Sequence, residues 1–140
     1  MQNPQQIEAR AAARHRVILI VWFSLLMSIS IFFAMTLFIP GNPVPNQILS
    51  VALAGIAFML VVASVLIKSR MVQSAIEKRD AVKLQSAYIL SFALCESAAI
   101  WGLIDHFVTG SSYYYFSFAI ALLGMLIHFP KKDHVRAAIA

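Results

Sequence analysis

The chain holds a single cysteine, Cys95, so it can form no internal disulfide and build no cysteine-based metal site. It has no glycine-rich phosphate loop, no HExxH pair, no nucleophile elbow and no two carboxylates at helical spacing within an apolar segment. These absences remove the common enzyme constellations, and a non-catalytic chain with neither cofactor nor metal is expected. Charge is scarce as well. Only 12% of residues are Asp, Glu, Lys or Arg, against about 25% in a soluble domain, and the apolar run Val17–Ile39 has none.

What fills the chain is apolar. Hydrophobic residues make up 61% of its 140 positions, and the mean hydropathy is +0.80. They are gathered into four blocks at 17–39, 48–67, 84–104 and 113–129. A helix needs about 20 residues to cross a hydrocarbon layer roughly 30 Å thick. The expectation is therefore an all-α polytopic membrane protein, with four transmembrane helices in two antiparallel hairpins. The first block is too long for the apolar region of a cleaved signal peptide, typically about 7–15 residues. Pro40, Gly41, Pro43 and Pro45 predict a tight uncharged turn after it; Thr109 to Ser112 predict a second. Asn3 and Pro4 offer a helix start in the polar segment 1–16.

The net charge of +5 is explained by where the basic residues lie. Arg10, Arg14 and Arg16 precede the first block. Lys68, Arg70, Lys78, Arg79 and Lys83 separate the second from the third, and Lys131, Lys132 and Arg136 follow the fourth in the tail 130–140. Cytoplasmic loops carry such an excess, so both termini and the central loop are expected in the cytoplasm of a bacterial-type cell membrane. The partner implied is the lipid bilayer, and nucleic acid is not. The central stretch has neither Pro nor Gly, so helices two and three are expected to continue beyond the bilayer and turn within it.

Glu96 is the one acidic residue well inside a predicted span, twelve residues past Leu84, or roughly 18 Å along a helix. An ionised carboxylate there is costly unless paired or hydrated. Glu96 is accordingly expected to be mostly protonated and to bind a proton or a cation, or else to hydrogen-bond a neighbouring helix. Ser24, Ser28, Ser30, Thr36, Ser50, Ser64, Ser91 and Ser97 are the candidate partners. Ser91, Cys95, Ala98 and Gly102 form a small-residue face suited to close packing by another helix or another copy. Asp105 and His106, adjacent in sequence and so about 100° apart on a helix, read first as an interfacial cap and second as a pair that could relay protons or bind a metal. His15, His128 and the Tyr113–Tyr115 cluster read as interface residues.

The run from Ala93 to Leu103, with Ala93-Leu94-Cys95-Glu96-Ser97-Ala98 at its centre, resembles the proton-carrying helix of rotary ATP synthase subunit c, the membrane-ring proteolipid. The likeness extends over residues 49–103, through Ala75-Ile76-Glu77-Lys78-Arg79-Asp80 as the polar hairpin loop and Lys83-Leu84-Gln85 as the lead into the second helix. The preceding helix differs, carrying only Gly55 and bulky Phe58, Met59 and Leu60 where that family spaces glycines regularly. The resemblance implies proton or cation transport with Glu96 as the ion-binding carboxylate. The residues alone leave a second reading open: an accessory or assembly component, associating with other membrane subunits or itself, in which Glu96 only packs.

Overall fold

The computed structural model describes residues 4–41 and 44–139, so Asn3 and Pro43 lie outside the described residues. Its elements are α1 (Pro4–Phe38), α2 (Gln47–Glu77), α3 (Ala81–Thr109), α4 (Tyr114–Ile127) and α5 (Lys132–Ala137), with no strand among the described residues. Three helices, α1 to α3, are long and apolar enough to cross a membrane; α4 is apolar and 14 residues long. Bulky apolar side chains point away from the bundle all round, with Phe38 85% and Ile48 87% exposed. A monomer in water rarely exposes apolar patches on this scale. Helix length and an apolar exterior together describe a multi-pass membrane protein.

α3 is the central element. It packs against each of the other four helices, most extensively against α2, while no Cα atoms of α1 and α2 come within 8 Å of each other among the described residues. Consecutive α1 and α2 thus do not form a packed hairpin, and α2–α3 does. α1 instead runs beside α3 and α4. Trp22 Nε1 donates to the Met125 carbonyl at 2.8 Å near one end, and Phe33 meets Phe118 edge-to-face at 5.4 Å near the other.

The polar lead-in and the first apolar block form one uninterrupted helix of 35 residues. Its N-terminal turns are held by the tail: Arg136 Nη2 lies 2.6 Å from Glu8 Oε1, with Lys132 3.8 Å from Oε2, and buried Ala11 and Ile18 share a core with Val135 and Ala138 of α5 and its C-cap.

Between α2 and α3 the reversal takes only three residues. Asp80 N–H donates to the Ala75 carbonyl at 2.8 Å and Arg79 N–H to the Ile76 carbonyl at 3.1 Å, closing the last turn of α2. Arg79 adopts the left-handed conformation that usually falls to glycine at this position, with φ 50°. The Asp80 carboxylate then caps α3 by accepting from Val82 and Lys83 N–H at 3.0 and 2.9 Å. The long helices and the turn within the charged stretch agree with the sequence. At the opposite end, Gly110 (φ 58°) terminates α3, and Asn46 N–H donates to the Thr109 carbonyl at 2.9 Å, tying the start of α2 to the end of α3.

Candidate functional site

Glu96 lies on the α1 side of α3 and is half-buried. Ser28 of α1 donates its hydroxyl to Glu96 Oε1 at 2.6 Å, the only side-chain bond between α1 and this carboxyl among the described residues. The other candidate hydroxyls are engaged elsewhere. Ser24, Ser30 and Ser97 donate to carbonyls four residues back, and Thr36 to the Phe33 carbonyl. Lipid-facing hydroxyls are commonly satisfied within their own helix in this way. Among the described candidates only Ser28 reaches Glu96. The site is thus one carboxyl and one hydroxyl bridging two helices, a geometry able to hold a proton or lock the helix pair.

Asp105 is not at the surface. It is fully buried inside α3, where Ser50 of α2 donates to Oδ2 at 2.7 Å and Thr109 to Oδ1 at 2.6 Å. It does not end the helix: α3 runs on to Thr109, and α2 covers Asp105 there. The apolar block was read to Ile104 while the helix continues to Thr109; Ser50, Asp105 and Thr109 were visible but carried no spacing signal across two helices. His106, one residue on, takes a separate path: its Nε2 meets the Ile39 carbonyl at 2.8 Å, and its ring stands edge-on to Tyr114 at 4.7 Å. Asp105 and His106 are not brought together. His106 pins the turn after α1, where a Cβ on Gly41 would collide with the His106 carbonyl.

The small face of α3 is used within the chain. Ser91, Cys95, Ala98 and Gly102 are all buried. A Cβ on Gly124 of α4 would sit 2.7 Å from Cys95 Sγ and 3.0 Å from Val61 Cγ1, and one on Gly102 would sit 3.0 Å from Ser117 Cβ. α4 therefore occupies the face that a second copy would need.

A cluster that the sequence reading did not find lies at the end of the bundle carrying both termini. His128, expected at an interface, is 1% exposed; its Nε2 lies 2.7 Å from Ser64 Oγ, and its Nδ1 has no hydrogen-bond partner. Ser64 Oγ also donates to the Val61 carbonyl at 2.6 Å and approaches Cys95 Sγ at 3.5 Å. Next to it, Lys68 Nζ stands 4.5 Å from the centre of the Tyr88 ring, and Tyr88 Oη pairs with His134 Nδ1 at 2.8 Å. Burial, with Lys68 and Lys131 beside it, pushes His134 below its ordinary range, opposed only by Asp133. These residues come from three helices, α2, α3 and α5, and the α4–α5 junction, so no local pattern connects them. His15 joins the same end through the Pro130 carbonyl at 3.2 Å.

Among the described residues no three His, Cys, Asp or Glu side chains gather as a metal site. Comparison with protein-family models, curated proteins and solved structures finds no match to this chain.

Proposed function

We propose that this protein is a four-span, non-catalytic component of a cytoplasmic-type membrane, with both termini and the α2–α3 turn in the cytoplasm, serving as a structural or accessory subunit. The carrying observation is the 2.6 Å bond from Ser28 to Glu96, which uses the buried-span acid to hold α1 on α3. Because α1 and α2 do not pack against each other among the described residues, this bond acts together with the Arg14–Gln85 bond to α3, the α1–α4 contacts and the Glu8 pairs to the tail in keeping the first helix in register. The topology is supported by the segregation of all eleven Lys and Arg into segments at one end. α4 spans only about 21 Å as a helix; Tyr113 and Phe129 extend its apolar length, and local thinning of the bilayer accommodates the rest.

A second reading, proton or cation handling by Glu96, draws on the half-burial of that carboxyl and on the resemblance to subunit c, whose hairpin α2–α3 would represent. One experiment separates the two. Glu96→Gln keeps a hydrogen-bonding group and removes the titrating one, whereas Glu96→Leu removes both. The accessory reading expects unchanged proton flux in Glu96→Gln vesicles and a loosened α1 in Glu96→Leu, read by cross-linking between cysteines placed on α1 and α3. Loss of flux in Glu96→Gln, together with pH-dependent carbodiimide labelling of Glu96, would replace it with the transport reading.

A further inference from the structure

Beside the Lys68 cluster the bundle opens into a cavity of about 450 Å³, walled by Val65, Lys68, Val72, Ile127, His128 and His134 among others. Its composition is divided: aliphatic side chains from α2 and α4 on one part, cationic or imidazole groups on the other. Lys68 is half-buried, and among the described residues it forms no ion pair; its ammonium rests on the Tyr88 ring. A desolvated ammonium with no counter-anion is costly. The remaining groups compound the imbalance. Lys131 adds repulsion to Lys68, and Asp133 is the only acid acting on His134.

Hydrogen bonding leaves capacity unspent at the same place. The Ser64 hydroxyl proton is committed to the Val61 carbonyl, so His128 Nε2–H donates to Ser64 Oγ, and His128 Nδ1 remains a buried atom with no partner. Tyr88 Oη accepts from Lys131 N–H at 3.3 Å and pairs with His134 Nδ1 at 2.8 Å; with Tyr88 as the donor of that pair, His134 carries its proton on Nε2 and can donate it. The cavity thus presents one ammonium and one imidazole N–H, with an aliphatic wall alongside.

The geometry points to this cavity as a binding site for the phosphate of an anionic glycerophospholipid, with Lys68 and His134 donating to phosphate oxygens and Val65, Val72 and Ile127 receiving the start of an acyl chain. Basic pockets between transmembrane helices on the cytoplasmic side bind such headgroups. The inference rests on the multi-pass reading of the chain and is independent of the role of Glu96.

The test uses the full chain in detergent, equilibrated with equal amounts of phosphatidylglycerol and phosphatidylcholine and examined by native mass spectrometry. One phosphatidylglycerol should be retained in preference to phosphatidylcholine. Lys68→Gln should reduce that retention about tenfold, the scale of one lost charge-assisted hydrogen bond, while Lys68→Arg keeps it and Arg70→Gln, exposed on the same helix, leaves it unchanged. Should Lys68→Gln misfold by circular dichroism, His134→Gln serves in its place with the same expected direction. Equal retention of the two lipids, or an equal loss in Arg70→Gln, overturns the site. Inorganic phosphate alone, raising the melting temperature as much as phosphatidylglycerol does, overturns the lipid as the source. A chain extracted from membranes by alkaline carbonate would sink the spanning reading; one that stays embedded without the lipid preference sinks only the site.

Discussion

Replacing Asp105 by alanine tests whether the buried end of α3 is held to α2 by its carboxyl. In the folded protein Oδ2 accepts from Ser50 and Oδ1 from Thr109, and all three side chains are fully buried. Truncation leaves the two hydroxyls unequally placed. Thr109 keeps the Asp105 backbone carbonyl as an acceptor at 2.8 Å, while Ser50 loses its only hydrogen-bond partner. An orphaned buried hydroxyl costs about 1–3 kcal/mol, and the small void adds to it, so Asp105→Ala should destabilise by about 3 kcal/mol. Asp105→Asn keeps the shape and one carbonyl acceptor, and Ser50 can then accept from the new amide. Its cost should stay near 1 kcal/mol.

Reversible unfolding in mixed micelles, followed by helical circular dichroism, supplies the free energies. The decisive quantity is the coupling between Asp105→Ala and Ser50→Ala. Interhelical hydrogen bonds measured in bilayer-like settings reach up to about 1.7 kcal/mol, and a coupling of about 1–2 kcal/mol is expected. A value below about 0.5 kcal/mol, the range of independent sites, would refute the claim that this pair joins α2 to α3.

Gly124→Val should destabilise by about 1–3 kcal/mol, because Cys95 and Val61 already stand where the new side chain must go; Cys95→Ala should recover part of that loss in the same unfolding assay. Arg79→Gly should stabilise by up to about 1 kcal/mol, read as a shift in melting temperature, since a left-handed residue with a Cβ carries a penalty that glycine avoids. His134 is held below its ordinary value of 6.5 by burial and by Lys68 and Lys131. The unfolded chain therefore binds more protons just below that value, so the docking of α5 should be unaffected above pH 6.5 and weaken as pH falls through it. Hydrogen exchange of α5 amides from pH 7.5 to 5 measures this, and His134→Gln should flatten the dependence.

The long apolar helices were legible because lipid imposes a crude requirement, about 20 apolar residues per crossing, which composition alone can report. The α2–α3 turn was legible for a similar reason: charge locates it, and the absence of Pro and Gly lets both helices run up to Arg79. The choice of Ser28 among eight hydroxyls was not, since each serine fits an amphipathic or a self-bonded role equally well until helix neighbours are known. The burial of His128 and Asp105 was not legible either. Each lies near the end of an apolar block, where hydropathy predicts an interface, yet each is covered by a serine of α2, Ser64 and Ser50, that only the helix packing brings to it.

The two ends of the bundle differ in what they leave unsatisfied, and that difference decides where recognition of other molecules belongs. At the end carrying Asp105 every buried group of the Asp105 set has its partner within the chain, and His106 spends its Nε2 on the turn after α1. Such an end stabilises and offers nothing further. At the end carrying Lys68 a half-buried ammonium rests on an aromatic ring and forms no ion pair among the described residues. An anion beside Lys68 would offset the partial desolvation of its ammonium. Anionic phosphates of a cytoplasmic leaflet would supply that charge, so under the lipid-site proposal it is the membrane that completes this end of the structure.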